Sequence, residues 1–459
     1  MCLFAGATVL HDGKEMSAAD NAASVFVRNR SLARWGQLAL GVIAMMAISS
    51  PQYVWTLFVP PFQAATHASL PAVQITFSVL VVLQTWLAPL QGWFIDRFGP
   101  KFLISAGAAL TGAGFVLAAQ ATTAWWLYFS YGAFCGFGTG LVYIGIIGLM
   151  VRWFPDRRGF AVGIAAAGYG MGAIVTTFPI ASMLRLSGYR PTLILFGIIF
   201  AAVGIGAALG LRAPGPNNIQ GLAPRENIAV SARDFTPGEM LQTPVFWLMF
   251  LMMTLMSTGG LMVVSQFGPV MKNFGIAEVE IAGMAALPFA LTLQRIANGV
   301  TRPFFGWVSD RFGRENTMFV AFGMEAMAVW LMLISRANPP LFAVMSGIVF
   351  FGWGEIFSLF PSTVTDTFGT RHATTNFGFL YIAQGIGSVL GGPAAAWLFV
   401  RSGSWFPVFW LIILLDATTA LLALAVLKPL RRDWLLRQAE ISPAAKSGPE
   451  FARASGADR

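Results

Sequence analysis

The sequence has few charged residues for its length. Only 11% of its 459 residues are charged, whereas 56% are hydrophobic. Soluble domains carry about 25% charged residues, so this chain could not cover the surface of a soluble protein. The composition therefore predicts a membrane protein, since each helix that crosses a bilayer needs about 20 apolar residues.

Cysteine and histidine are also scarce. The two cysteines are Cys2 and Cys135, so we predict neither a disulfide framework nor a metal cluster. His67 and His372 fall in predicted loops and His11 in the N-terminal tail, so no histidine relay crosses the membrane. No nucleophile, metal-ligand or cofactor motif is visible, and we expect no enzyme, no metal and no cofactor.

Twelve apolar stretches are long enough to span a bilayer. They cover approximately 36–59, 71–95, 102–120, 124–151, 159–184, 191–212, 244–270, 279–308, 317–335, 341–365, 374–400 and 405–428. We number them helices 1 to 12. The predicted fold class is all-α and integral to the membrane.

Lysine and arginine cluster in every second connection between these stretches. The even-numbered connections contain Arg97, Arg157, Arg311 and Arg371 among others. Positive loops favour the cytoplasm, which predicts an inner (plasma) membrane protein with both termini inside and accounts for the pI near 10.0 without nucleic acid. The expected organisation is a cytoplasmic tail over 1–34, a helical bundle over 35–212, a cytoplasmic linker over 213–243, a second bundle over 244–428 and a disordered cytoplasmic tail over 429–459.

An internal repeat relates the two halves of the chain. The run Gly92–Gly99 reads GWFIDRFG, and 214 residues later Gly306–Gly313 reads GWVSDRFG. A repeat of this register predicts one six-helix unit used twice, as two pseudo-symmetric bundles.

The repeated motif, Gly-x-x-x-Asp-Arg-x-Gly between helices 2 and 3 and between helices 8 and 9, resembles the hallmark loop of the major facilitator superfamily. In such a loop the glycine allows close helix approach and the aspartate meets neighbouring helix ends and arginines. The resemblance implies a conformational latch formed by Gly92, Asp96, Arg97, Gly306, Asp310 and Arg311.

Longer motifs resemble those of the oxalate:formate antiporter family. They are PQYVWTL at 51–57, RWFPDRRG at 152–159, AAGYG at 166–170, GEML at 238–241, TP at 243–244, FW at 246–247, NG at 298–299, RPF at 302–304, WG at 353–354 and LFPST at 359–363. The resemblance implies a central cavity for small carboxylates, walled by aromatic residues and closed by an arginine of helix 8 and a lysine of helix 11. The corresponding residues here are Arg302 for the arginine, Tyr53, Tyr143, Tyr169, Trp353, Phe357 and Tyr381 for the wall, and Gln384 in place of the lysine.

Ionisable residues within predicted spans support a site in the same region. Charges inside a bilayer are costly and by default functional, and Arg295, Arg302 and Glu355 are three of them. Arg295 and Arg302 are two helical turns apart and share a face, with Arg295 expected nearer the midplane and Arg302 nearer the cytoplasmic end. Two alternatives stay open: Arg295 and Glu355 could form a structural salt bridge, and Arg302 could be a snorkelling residue.

Function is predicted from these observations as alternating-access transport of a small carboxylate by a monomer embedded in the lipid bilayer. The leading hypothesis is anion exchange of the oxalate:formate type. The alternative is proton-coupled monocarboxylate symport, because the helix 11 cation is missing and Glu355 adds a titratable group. A membrane sensor would keep the cavity but would need a signalling domain, for which the short tails leave no room.

Overall fold

A computed structural model describes residues 18–225 and 228–441 of the chain. The described part is helical apart from one two-stranded hairpin and the connecting loops. Residues 1–17 and 442–459, parts of the two predicted tails, lie outside the described residues.

Twelve helical spans are present in the described part of the chain, as the sequence predicts. They are Ala18–Ala47 continuing through Ser50–Tyr53 and Trp55–Thr66, then Leu70–Trp86 with Ala88–Phe98, Pro100–Ala118, Ala124–Trp153, Arg158–Ser187, Tyr189–Gly210, Pro244–Asn273, Ala286–Phe312, Arg314–Ile334, Pro339–Trp353 with Ile356–Phe368, Ala373–Ser402, and Phe406–Leu422 with Ala423–Leu427. We keep the numbers 1 to 12 for them, and call helices 1 to 6 the first half and helices 7 to 12 the second half.

Ten of these spans are long and apolar enough by themselves to cross a membrane, and helix 2 is an eleventh span bent by 48°. The bend lies at Leu87, just before Pro89, whose ring cannot fit a continuous helix. Helix 8 is the twelfth span and is the most polar, because it contains Arg295, Arg302 and Asn298. Its polarity in the interior of the protein already indicates a functional helix.

The helix boundaries differ from the predicted ones in two places. Helix 1 begins at Ala18, so part of the expected N-terminal tail is helical. Helix 8 begins at Ala286 and not at 279, because a hairpin of Glu280–Ile281 and Met284–Ala285 precedes it. The hairpin turns through Ala282 and Gly283, which both have positive φ, as a tight turn between two antiparallel strands requires.

The predicted disorder after Leu427 is wrong for the residues that the structure describes there. Lys428–Ile441 forms a helix. Its Arg431 is buried and donates to Glu315 of helix 9 at 2.7 Å and to Thr367 of helix 10 at 2.6 Å. These side chains bond the Arg431 guanidinium in place of water, which explains why the polar segment Lys428–Ile441 is folded.

The central linker packs against the second half of the protein. The Ser231 amide donates to the carbonyl of Asp366, and the Phe235 amide donates to the carbonyl of Phe368, both at 2.8 Å. The rings of Phe235 and Phe368 pack on Trp434 of the C-terminal helix. We call this side of the helical bundle the linker side and the opposite side the far side.

Candidate functional site

A cavity of about 330 Å³ lies between the two halves of the protein. Helices 1, 4 and 5 form its wall in the first half, and helices 7, 8, 10 and 11 form its wall in the second half. All eight residues predicted to bind substrate line this cavity, and so does Arg295: they are Tyr53, Tyr143, Tyr169, Arg302, Trp353, Phe357, Tyr381 and Gln384. Their role in binding stays a prediction. The residues predicted from the sequence do, however, form one contiguous surface.

The aromatic wall is continuous across the interface between the halves. Tyr143 of helix 4 stacks on Tyr381 of helix 11 with ring centroids 5.1 Å apart. Tyr169 packs against both Tyr143 and Tyr53, at 5.3 and 5.7 Å. The Tyr169 hydroxyl is held by Gln52 and Gln84, so glutamine side chains fix this ring.

Arg302 is 2% exposed and lies at the floor of the cavity. Its guanidinium donates to the carbonyl of Ala166 in helix 5 at 2.6 Å and twice to Oδ1 of Asn298, at 3.1 and 3.3 Å. It also lies over the ring of Phe357 at 4.5 Å. Those three bonds leave part of its five-donor fork unused, and within the described residues Arg302 forms no ion pair.

The interpretation of Arg302 as a snorkelling residue does not fit this placement. A snorkelling side chain extends its charge to the aqueous interface, whereas the Arg302 guanidinium is enclosed by helices 5, 8 and 10. A buried cation with no carboxylate partner is costly, so its retention requires a negatively charged ligand or another compensating charge.

Arg295 occupies the far-side part of the cavity. It is exposed and lies over the ring of Tyr53 at 5.5 Å. The alternative of a salt bridge with Glu355 is wrong, because both Glu355 oxygens are buried without a hydrogen-bond partner among the described residues. The placement of Arg295 nearer the midplane stays a prediction; helix 8 begins at Ala286, so the midpoint of the helix falls between the two arginines.

Two amide groups of the cavity have unused hydrogen-bonding capacity. Oε1 of Gln384 and Nε2 of Gln294 are buried and have no partner within the part of the chain that the structure describes. Buried polar groups of this kind normally find a partner. One acceptor and one donor are thus available to a ligand that enters the cavity.

The cavity is also lined by residues that are not among the predicted site residues: Gln52, Thr56, Leu261, Val264, Leu291, Gln294, Asn298 and Phe350. A signal existed for Asn298, which precedes Arg302 by four residues and so faces the same side of helix 8. For the apolar residues no sequence signal exists, because a Leu or Val on a membrane helix contacts lipid, protein or ligand with equal ease.

The cavity is closed on the linker side by contacts between the halves. The carboxylate of Asp310 accepts from the Gly159 and Phe160 amides at the start of helix 5, at 2.9 and 2.8 Å. The carboxylate of Asp96 accepts from the Thr375 amide at the start of helix 11, at 2.9 Å. Each predicted latch aspartate therefore sits at the positive end of a helix of the opposite half.

Glycine residues allow the helices of the two halves to approach each other closely at these contacts. A Cβ atom at Gly92 would lie 2.7 Å from the carbonyl oxygen of Thr374, and one at Gly306 would collide with the carbonyl of Gly159. The arginines of the motif stack on tryptophans of their own half: Arg97 lies over Trp93 and Arg311 over Trp307. The motif thus joins the halves through its glycine and aspartate.

On the far side the cavity reaches the surface of the protein. Arg295, Leu291 and Val264 line the cavity from the far-side parts of helices 8 and 7 and are exposed. The cavity is therefore accessible from the far side and closed from the linker side.

Comparison with known proteins places this architecture in a family. The chain matches the Major Facilitator Superfamily over residues 38–293 and 270–451. It is 36% identical to the oxalate:formate antiporter of Oxalobacter formigenes over 394 residues, which cover 86% of this chain and 90% of that protein. The chain belongs to the oxalate:formate antiporter family of the major facilitator superfamily. It is a multi-pass membrane transporter.

Other members of the superfamily are more distant. An uncharacterised major facilitator transporter of Escherichia coli, YhjX, is 26% identical over 79% of this chain and 87% of its own length. Monocarboxylate transporter 13 of Bos taurus is 24% identical over 77% of this chain and 80% of its own length. Among solved structures, the proton:xylose symporter XylE superposes with a TM-score of 0.67 at 13% identity, covering 87% of this chain and 96% of XylE. That likeness confirms the fold of the antiporter-family chain.

Proposed function

We propose that this member of the oxalate:formate antiporter family exchanges small carboxylates across the membrane by alternating access, with Arg302 as the carboxylate anchor. The observation that carries the proposal is the guanidinium of Arg302, buried in the cavity between the halves without an ion-pair partner among the described residues. A carboxylate matches its fork with two parallel hydrogen bonds. At a separation of 4 Å and an effective dielectric of about 20, such a charge pair is worth about 4 kcal/mol.

Size and wall chemistry fit the same substrate class. A volume of about 330 Å³ is at the small end of ligand pockets, which suits an anion of a few carbon atoms. The Tyr143 hydroxyl and Nε2 of Gln294, both buried without a partner among the described residues, are free to donate hydrogen bonds to carboxylate oxygens. The 36% identity to the Oxalobacter formigenes antiporter supports exchange as the transport mode.

The orientation in the membrane is part of the proposal. Arginines in the even-numbered connections favour a cytoplasmic linker side. The state seen here would then be open to the outside, with Asp96 and Asp310 holding the cytoplasmic side closed. Release of these two aspartates from the starts of helices 11 and 5 would let the two halves rock and expose the cavity to the cytoplasm.

Transport by Arg302→Lys in proteoliposomes tests the anchor. Radiolabelled oxalate and formate are offered to vesicles preloaded with the same unlabelled anions. We expect the lysine variant to lose most exchange, because an ammonium cannot reproduce the bidentate fork. Arg190→Lys, on an exposed arginine at the start of helix 6, is the matched control and should exchange normally. Normal exchange by Arg302→Lys would contradict the assignment.

Proton-coupled symport is the second candidate. It is favoured by one observation, the buried carboxyl of Glu355 in electrostatic contact with Arg302. Exchange of labelled for unlabelled anion in the absence of a pH gradient, with no net uptake when a gradient is applied, would support exchange alone. Net uptake driven by an inward proton gradient into vesicles without internal anion would favour symport.

A further inference from the structure

A pair of buried carboxyl groups in the second half is not used by the proposed transport site. Glu325 of helix 9 and Asp416 of helix 12 are both 0% exposed and interact electrostatically. Helix 7 contacts the pair at Gly259, where an added Cβ would lie 2.9 Å from Oδ1 of Asp416. These two groups lie inside a single helical bundle, away from the interface between the halves.

A third carboxyl group lies on helix 10, which packs closely on helix 9: a Cβ atom at Gly352 would lie 2.6 Å from Cβ of Glu325. Glu355 of helix 10 is also 0% exposed, and it interacts with both Glu325 and Asp416. Both of its oxygens, and those of the other two residues, lack a hydrogen-bond partner among the described residues. We call these three residues the carboxyl cluster.

Three negative charges could not persist in such a place. Removing one carboxylate from water costs several kcal/mol even after the protein relaxes, and here the charges would also repel one another. Helix 7 offers no compensation, because its one titratable residue, Lys272, is exposed in its last turn. Buried carboxyl groups without a paired cation become neutral by binding protons, so protons are the ligands that neutralise the carboxyl cluster.

The only cation in electrostatic contact with the carboxyl cluster, within the described residues, is Arg302, which acts on Glu355. Helix 10 provides a mechanical connection as well, because it is broken at Gly354 and Glu355. On one side of the break Trp353 lines the cavity, and on the other Phe357 lies under the Arg302 guanidinium.

Gly354 completes this connection. A Cβ atom there would lie 2.6 Å from Oδ1 of Asn298, the oxygen that accepts two bonds from Arg302. The break in helix 10 is therefore in direct contact with the group that orients the carboxylate anchor. The same short segment carries Glu355 into the carboxyl cluster on its other face.

We propose that Glu325, Glu355 and Asp416 form a proton-binding site whose occupancy is linked to anion binding at Arg302. With the cavity empty, the positive charge of Arg302 favours a negative charge on Glu355. An anion that pairs with Arg302 cancels this effect, and a carboxylate oxygen of the cluster takes a proton from water. A monoanion and its proton then bind without a change in net charge.

Linkage gives this site a measurable consequence. If the anion promotes proton binding, the proton promotes anion binding by the same factor. For one fully linked proton, anion affinity rises about tenfold for each unit by which pH is lowered. The linkage rests on the proposed function, while proton binding by the carboxyl cluster can be tested without any anion.

Proton uptake is measured by titration calorimetry on the purified full chain, with formate and oxalate as probes and two buffers of different ionisation enthalpy. We expect the unmodified protein to take up about one proton per formate and Glu355→Gln to take up almost none, with formate affinity that no longer depends on pH. Glutamine copies the protonated carboxyl, so this variant should fold. Glu280→Gln, on an exposed residue of the hairpin, is the matched control and should keep the proton uptake.

Two results would overturn the proposal: formate binding with no proton uptake by the unmodified protein, or the same uptake in Glu355→Gln.

If the protein binds neither probe at any pH, the proposed function and the linkage fail together. Proton binding is then judged by infrared spectroscopy. A carbonyl band of protonated carboxyl groups that weakens in Glu325→Gln, Glu355→Gln and Asp416→Asn supports the site, and absence of that band in the unmodified protein refutes it.

Discussion

Gln384 occupies the position at which the family resemblance implies a second cation, and Gln384→Lys should therefore change the preference for dianions. Gln384 lines the cavity, and its Oε1 atom is buried without a partner among the described residues. A lysine at this site would thus replace a neutral group that has no hydrogen bond to lose. The new charge would face the same anion as Arg302.

The size of the effect follows from Coulomb's law. At a separation of about 6 Å and an effective dielectric of about 20, each unit charge of the ligand gains about 3 kcal/mol from the added cation. Oxalate carries two such charges and formate one, so the difference between them is also about 3 kcal/mol. Since 1.4 kcal/mol corresponds to a factor of ten, oxalate should gain about 100-fold over formate.

Competition measures this preference directly. Exchange of labelled formate is inhibited with increasing unlabelled oxalate, in proteoliposomes with Gln384→Lys and with the unmodified protein. Gln384→Met, which is neutral and of similar length, is the matched control and should leave the ratio unchanged. Gln384→Arg is measured as well. A buried lysine that loses its proton would carry no charge, whereas arginine stays charged.

One outcome would refute the reasoning. If both cationic variants fold, still exchange formate and keep the original oxalate-to-formate ratio, the anion does not bind beside Gln384. The family's carboxylate cavity would then not carry over to this chain.

Three further predictions can be tested with the same preparations. Arg295→Gln should fold normally, because Arg295 is exposed and has no bridge to Glu355, and it should weaken oxalate binding more than formate binding in equilibrium measurements. Asp96→Asn and Asp310→Asn should slow exchange while changing anion affinity only a few-fold. Each substitution removes charge-assisted bonds of about 1.5–3 kcal/mol that hold the linker side closed. A loss of equilibrium binding would show that the motif has another role. Cysteines introduced at Arg225 and Lys272, in a background without Cys2 and Cys135, should react with impermeant reagents from opposite sides of the membrane, and labelling from one side would refute the topology.

The pattern of apolar stretches was enough to predict twelve spans and their grouping into two repeated halves. A span is recognisable because lipid requires about 20 apolar residues in a row, whatever the helix packs against. The one span that hydropathy underestimates is helix 8, and its polar residues are the reason. Arg302 was recognisable for the same reason, because a charge within a membrane helix demands a function.

Tertiary structure decided which faces of these helices meet. From sequence, Glu355 was a candidate partner for Arg295, whereas in the fold it is fully buried, does not line the cavity and interacts electrostatically with Glu325 and Asp416. Helical periodicity places residues on a common face of one helix, but it does not say which neighbouring helix that face contacts. The contact of Asp310 with the start of helix 5 depends on the same missing information. Partners in separate helices are fixed only when the bundle assembles, because their separation along the chain, about 150 residues in this case, leaves no local signal.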